Sequence, residues 1–193
     1  FAGLPSLSNA NTHLRQHPLS GDWIAYSAGR QNRTFLPNTA ECPLCVMDDT
    51  SPATDIPVDD YEIAIFDNRF SALSMQPAAP PELGIETAPA IGNCEVISYS
   101  SDHNASLATI GIERISLLID AIADRVSALY ERDNICWALA FENRGREIGV
   151  TLDHPHGQLY ALSQLPEYIK RVASAFRQHN PLHKLDTTLP KQL

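Results

Sequence analysis

With 193 residues, 44% of them hydrophobic, the chain is long enough to bury a real core and too apolar for a disordered segment. Its 14 Lys+Arg against 23 Asp+Glu give a formal charge of −9, which argues against a general nucleic-acid or membrane-surface role, since both draw on a basic footprint; a local basic pocket for a phosphate stays compatible with it. No apolar run approaches the ~20 residues of a membrane span, and the N-terminus lacks the basic-then-apolar order of a secretory signal, so a cytoplasmic protein is expected. Opening on Phe1 rather than Met, the sequence reads as a processed or truncated product.

In chain order, "DWIAYS" (22–27), "YEIAIF" (61–66), "CEVISYS" (94–100), "ICWALAF" (135–141) and the stretch 148–162 are short, rich in β-branched and aromatic residues, and bounded by turn formers, which predicts strands. The proline-rich stretches 43–60 and 75–93 read as long surface excursions. Between the third and fourth strands, Ile112, Ile115, Ile119, Ile122, Val126 and Leu129 recur at three- and four-residue steps, the pattern of one long amphipathic helix. A second helix is predicted from Pro166 through "EYIKRVASAFRQH", with Ile169, Val172, Ala173 and Phe176 inward. With little βαβ alternation, the expected fold class is α+β with a mainly antiparallel sheet.

Four cysteines divide into a pair and two singles. Cys94 and Cys136 lie in apolar strand-like runs and read as small buried hydrophobes. Cys42 and Cys45, in "ECPLC", have the C-x₂-C spacing at which two thiolates can bind one tetrahedral Zn²⁺, which is half a site. The competing reading, a redox dithiol, lacks a surrounding βαβ unit. His103 and His154 both follow strand-like runs and could converge on the pair from one edge of the sheet; taken alone, His103 reads better as a surface histidine.

In "LDHPHGQLYAL", His154, His156 and Gln158 occupy every second position, and on an extended segment alternate side chains project to one face. A neutral imidazole can attack phosphorus directly, provided its other ring nitrogen donates a hydrogen bond that fixes the tautomer. His156, central in the row, is the candidate nucleophile. Gly157 leaves room for a phosphate, and its N–H could support the oxygens. Gln158 can donate to a non-bridging oxygen without offering a transferable proton, which favours transfer to another phosphate over hydrolysis. The competing readings are a pair of surface histidines or a second metal site.

"FENRGREIGVTLDHPHGQLYA" closely resembles the active-site segment of the galactose-1-phosphate uridylyltransferase family, the transferase branch of the histidine-triad superfamily. "HPLSGDWIAYSAGRQNRTFLP", "CPLC", "YEIAIFDNRFSAL" and "SSDHNASLA" match in order upstream. The resemblance implies a histidine-triad-like fold and a ping-pong exchange: UDP-glucose uridylylates His156, glucose 1-phosphate leaves, and galactose 1-phosphate collects the uridylyl group. It further implies that Gln158 holds the phosphate oxygens, that Asn143 and Thr151 contact the nucleotide and its phosphates, that Arg30 and Arg33 are the basic pair near the nucleotide, and that Asn68 lies on the uridine side. Cys42, Cys45, His103 and His154 correspond to the family's zinc ligands. The family enzyme has two similar halves, so residues 1–193 are expected to be a single domain forming the first, in a homodimer or beside a separate second-half chain. At the position where some members place a carboxylate for a second metal stands Val172, so none is expected there. The same motif in an adenylyl-transferring or phosphorylase enzyme, or a zinc-stabilised nucleotide-binding half that is inactive alone, are the alternatives.

Overall fold

The computed structural model describes residues 12–27, 39–46 and 54–179. Within them the chain is α+β and its named strands pair antiparallel throughout. Strands β1 (Thr12–Gln16), β2 (Trp23–Ser27) and β4 (Thr87–Pro89) form a three-stranded sheet in the order β2-β1-β4. Strands β3 (Ala64–Asp67), β5 (Gly92–Ser98), β6 (Trp137–Phe141) and β7 (His156–Leu162) form a four-stranded sheet in the order β3-β5-β7-β6. Helix α1 spans Ile112–Tyr130 and α2 spans Glu167–His179, the latter directly after Pro166 as predicted. Among the described residues no helix is long and apolar enough to cross a membrane.

Strand β7 is the axis of the fold, because its two faces meet different partners. Leu159 and Ala161 are fully buried and join Ile97, Tyr99, Leu118, Leu129 and Ile135 in a core between the four-stranded sheet and α1. Tyr160 and Leu162, on the other face, pack on a second core of Leu14, Leu73, Ala90 and Cys94 that ties in the smaller sheet. His156 and Gln158 share this second face by the two-residue period of a strand, so the polar row continues into a packed apolar one. That continuity anchors the row: Tyr160 and Leu162 fix its register.

Several details differ from the sequence reading. On α2, Val172 and Phe176, predicted to face inward, are 46% and 43% exposed. The inward stripe of α1 is Leu118, Ile122, Val126 and Leu129, whereas Ile112 is 72% and Ile119 60% exposed. At about 100° per residue those two stand roughly 80° round from the centre of the buried stripe, and seven-residue spacing cannot by itself tell a core stripe from its flank. Cys136 is exposed, one residue before β6 begins, while Cys94 is buried as expected. The excursion read over 75–93 holds β4 and the start of β5.

Among the described residues, the buried carboxylate on the α1 side, Glu95, is held by a bidentate pair with Arg125 of α1 and by the Asn93 amide at 2.7 Å. Arg125 Nε donates to it at 2.8 Å, and this bond raises the guanidinium above its ordinary range. The pair clamps α1 to β5 with both charges satisfied.

Candidate active site and metal centre

The Cys42–Cys45 knuckle is built by short-range turns. A 3-10 turn over Thr39–Glu41 delivers Cys42, and the Cys45 N–H donates to the Cys42 carbonyl at 3.3 Å, which brings both sulfurs to one side. His103 comes from the turn after β5, where the Asn104 N–H bonds Asp102 Oδ1 at 2.9 Å and the Ala105 N–H bonds the Asp102 carbonyl at 3.2 Å. His154 precedes Pro155, which biases it to extended backbone just ahead of β7.

These four residues, with His103 and His154 lying 58 and 109 positions from Cys45, converge so that one donor atom from each lies within 4.8 Å of the others. Cys45 Sγ is 3.3 Å from His103 Nδ1 and 3.5 Å from His154 Nδ1. A tetrahedral ion bound at about 2.0–2.3 Å separates its ligands by about 3.3–3.8 Å, so these spacings suit one closed metal site. The protonation states agree. His154 Nε2 donates to the Ser100 carbonyl at 2.8 Å, which leaves the Nδ1 lone pair turned to Cys45, and burial pushes the imidazole pKa down to about 4, keeping it neutral. Burial first, and Cys42 beside it second, push the Cys45 thiol up to about 12 in the metal-free site; a bound cation reverses that balance, since a coordinated thiol is deprotonated outright. Tyr61 completes the surroundings: its hydroxyl lies 2.9 Å from the Leu44 carbonyl, 2.8 Å from the Ser100 carbonyl, 2.7 Å from Ser98 Oγ and 3.0 Å from His154 Nε2.

The metal cluster runs directly into the row on β7. His156 Nδ1 lies 2.7 Å from the His154 carbonyl and donates to it, so the lone pair of a neutral His156 sits on Nε2. His156 stands between two clefts: one of about 360 Å³, lined by His103, Asn104, Glu142, Asn143, Arg144 and Asp153 among others, and one of about 300 Å³, lined by Asn143, Ile148, Gly149, Val150, Thr151 and Gln158 with His156 itself. Gln158 has its Oε1 buried with no hydrogen-bond partner among the described residues. A half turn of the amide exchanges that oxygen for an NH₂ in nearly the same volume, so this end of the side chain is built to meet a ligand group.

The predicted residues therefore separate into three sets. His154, His156 and Gln158 do come in sequence order along one edge, but His154 turns into the metal cluster while His156 and Gln158 face the clefts. Asn143 lines both clefts and Thr151 the smaller one. Asn68 lies outside the lining of both, buried at the end of β3 with Oδ1 accepting the Phe70 N–H at 2.9 Å. Arg30 and Arg33 fall outside the described residues. Gly157 has a different reason than the one expected. It points away from the clefts, and a Cβ there would stand 3.0 Å from the Phe141 carbonyl oxygen, so the missing side chain lets β7 approach β6. Asn104, Arg144 and Tyr61 were not singled out from sequence; Arg144, 3.7 Å from Glu142, places a cation in the larger cleft.

Residues 5–166 match the family described as galactose-1-phosphate uridyl transferase, N-terminal domain. The galactose-1-phosphate uridylyltransferase of Thermotoga maritima is 36% identical over 170 residues, covering 86% of this chain and 51% of the relative, and that of Streptomyces lividans is 38% identical over 150 residues, covering 78% and 38%. A solved uridylyltransferase structure superposes with a TM-score of 0.71 at 26% identity over 87% of this chain and 52% of the other. The chain spans about half the length of the Thermotoga relative. With a family match over residues 5–166 and a relative 36% identical over 86% of it, this chain belongs to the galactose-1-phosphate uridyl transferase family, in its N-terminal domain.

Proposed function

We propose that the chain carries the nucleotidyl-transfer half-site of a UDP-glucose:hexose-1-phosphate uridylyltransferase of galactose metabolism. The observation that carries this reading is the 2.7 Å bond from His156 Nδ1 to the His154 carbonyl, which fixes the lone pair on Nε2 between two clefts. His156 Nε2 attacks the α-phosphorus of UDP-glucose, the N–P bond forms, and the P–O bond to glucose 1-phosphate breaks. Galactose 1-phosphate then attacks the same phosphorus through a phosphate oxygen, and the N–P bond breaks to give UDP-galactose. A phosphate leaves as a stable anion and needs no proton, which is why a glutamine rather than an acid suits position 158. Gln158 stabilises the non-bridging oxygens, and Asn143 and Thr151 contact nucleotide and phosphates from the cleft walls. Arg30 and Arg33 supply positive charge near the nucleotide, and Asn68 serves the uridine side.

In this reading the metal is Zn²⁺, held by Cys42, Cys45, His103 and His154; two thiolates and two imidazoles in a closed tetrahedral set are characteristic of structural zinc. Zinc supplies rigidity, and the chemistry stays with His156. The protein is cytoplasmic, binds neither nucleic acid nor membrane, and works as the first of two similar halves, in a homodimer or with a separate second-half chain. Supplying the second half of the Thermotoga relative together with UDP-glucose and galactose 1-phosphate is expected to yield UDP-galactose and glucose 1-phosphate. ADP-glucose run in parallel should exchange poorly; preferential turnover of ADP-glucose would instead identify an adenylyl-transferring enzyme of the same branch.

A further inference from the structure

We infer that the Tyr61 hydroxyl is a positioning residue for the metal centre, one that holds three ligand-bearing segments together before any ion arrives. The inference rests on the metal reading above. Tyr61 lies just ahead of β3, in a sequence stretch with no metal-binding pattern, yet its single oxygen meets four polar atoms. Leu44, whose carbonyl lies 2.9 Å away, sits inside the Cys42–Cys45 knuckle. Ser98 and Ser100 belong to the end of β5 that leads to His103. His154 Nε2, at 3.0 Å, belongs to the fourth ligand itself.

A phenol has one proton to give and two lone pairs to receive with, which restricts how these contacts are satisfied. The assignment that satisfies the most groups has Ser98 Oγ–H and His154 Nε2–H donating toward Tyr61 Oη, with Nε2–H shared by the Ser100 carbonyl at 2.8 Å, and Tyr61 O–H donating to the Leu44 carbonyl. The Ser100 carbonyl, which can only accept, requires the Nε2–H tautomer of His154, and Tyr61 Oη receives the same hydrogen while the Nδ1 lone pair faces Cys45 Sγ, 3.5 Å away. Outer partners of this kind orient metal-bound histidines, and their loss typically weakens metal affinity about 10–100-fold.

The test uses the full 193-residue chain and zinc alone. Competition against a chelator of known affinity should show Tyr61→Phe binding zinc about 10–100-fold more weakly than the parent. That loss should reappear as about 1.4–2.7 kcal/mol less zinc-induced stabilisation, while the metal-free forms melt closer together. If Tyr61→Phe instead binds zinc as tightly as the parent and lowers the metal-free and zinc-loaded melts equally, Tyr61 is a packing residue and the inference fails. A measurement on the parent keeps the question open to refutation even if the variant does not fold: ¹⁵N chemical shifts of the metal-free chain should place the His154 proton on Nε2. A proton on Nδ1 would overturn the hydrogen-bond network on which the inference rests. A parent chain that takes up no zinc would overturn the metal reading and this inference together, whereas the first failure leaves the metal reading intact.

Discussion

Gly157→Ala is the substitution whose effect follows most directly from the geometry. The added methyl would stand 3.0 Å from the Phe141 carbonyl oxygen and 3.7 Å from its carbon, closer than an unstrained carbon–oxygen contact. Its neighbour is backbone, and it belongs to the last residue pair of the β6–β7 ladder, Phe141 opposite Gln158, so it cannot rotate away as a side chain would. β7 is also held from the other side by its seven-residue register with β5. The relief is therefore an opening of the β6 end, at a cost in the about 1–3 kcal/mol range of core overpacking. That opening moves Phe141, and with it Asn143 two residues on, away from Gln158 and His156, so transfer should fall more than stability alone explains. Urea unfolding of the zinc-loaded chain measures the first quantity, and the initial rate of uridylyl exchange in the reconstituted enzyme measures the second. Gly149→Ala serves as the comparison: its φ of +79° imposes backbone strain of about 1–2 kcal/mol, but nothing lies within 4 Å of the new methyl. A Gly157→Ala chain with the parent's urea midpoint and exchange rate would refute the close approach of β7 to β6 as the reason for this glycine.

Gln158→Ala should slow exchange about 10²–10³-fold, the effect of one oxyanion donor at about 2.7–4 kcal/mol, with zinc content unchanged. Gln158→His should lose transfer and raise the share of UMP, because an imidazole there can activate water; chromatographic separation of UMP from UDP-galactose reads this out. Arg125→Met leaves Glu95 buried without its cation and should destabilise the chain by roughly 3–5 kcal/mol in urea titration, with little effect on zinc binding. In the metal-free chain the His154 pKa is pushed down to about 4 in the folded state from 6.5, so the unfolded chain takes up the proton first. Its contribution to stability is fully present above about pH 6.5 and is lost as the pH falls toward 4, which metal-free thermal melts across that window should show as a falling midpoint.

What sequence showed well was whatever depended on near neighbours. The C-x₂-C knuckle, the alternation of His156 and Gln158 and the Pro166 start of α2 are all set within a few residues, and each stands where the pattern placed it. The strands carrying apolar alternation were found, whereas β1, with the polar sequence THLRQ, and β4, three residues of TAP inside a proline-rich run, carry no such signal; they are strands because Leu14 and Ala88 meet the core under β7. The helix stripe was misplaced for a related reason: Ile112 and Ile119 are as apolar as their neighbours, and only the position of the sheet decides which side faces in. Tyr61 was invisible as a site residue because its partners, Leu44, Ser98, Ser100 and His154, lie 17, 37, 39 and 93 positions away. Gly157 was seen as special but given the wrong neighbour, since a spacing pattern does not say how closely the next strand passes.

The covalent bond from His156 Nε2 to phosphorus can be read out by peptide mass mapping of the chain after incubation with UDP-glucose and an alkaline quench. One uridylyl group is expected, on His156 in the parent, and none in a folded, zinc-replete His156→Gly chain. A uridylyl group carried stably by the His156→Gly chain, or found in the parent on any other residue, would contradict His156 as the nucleophile.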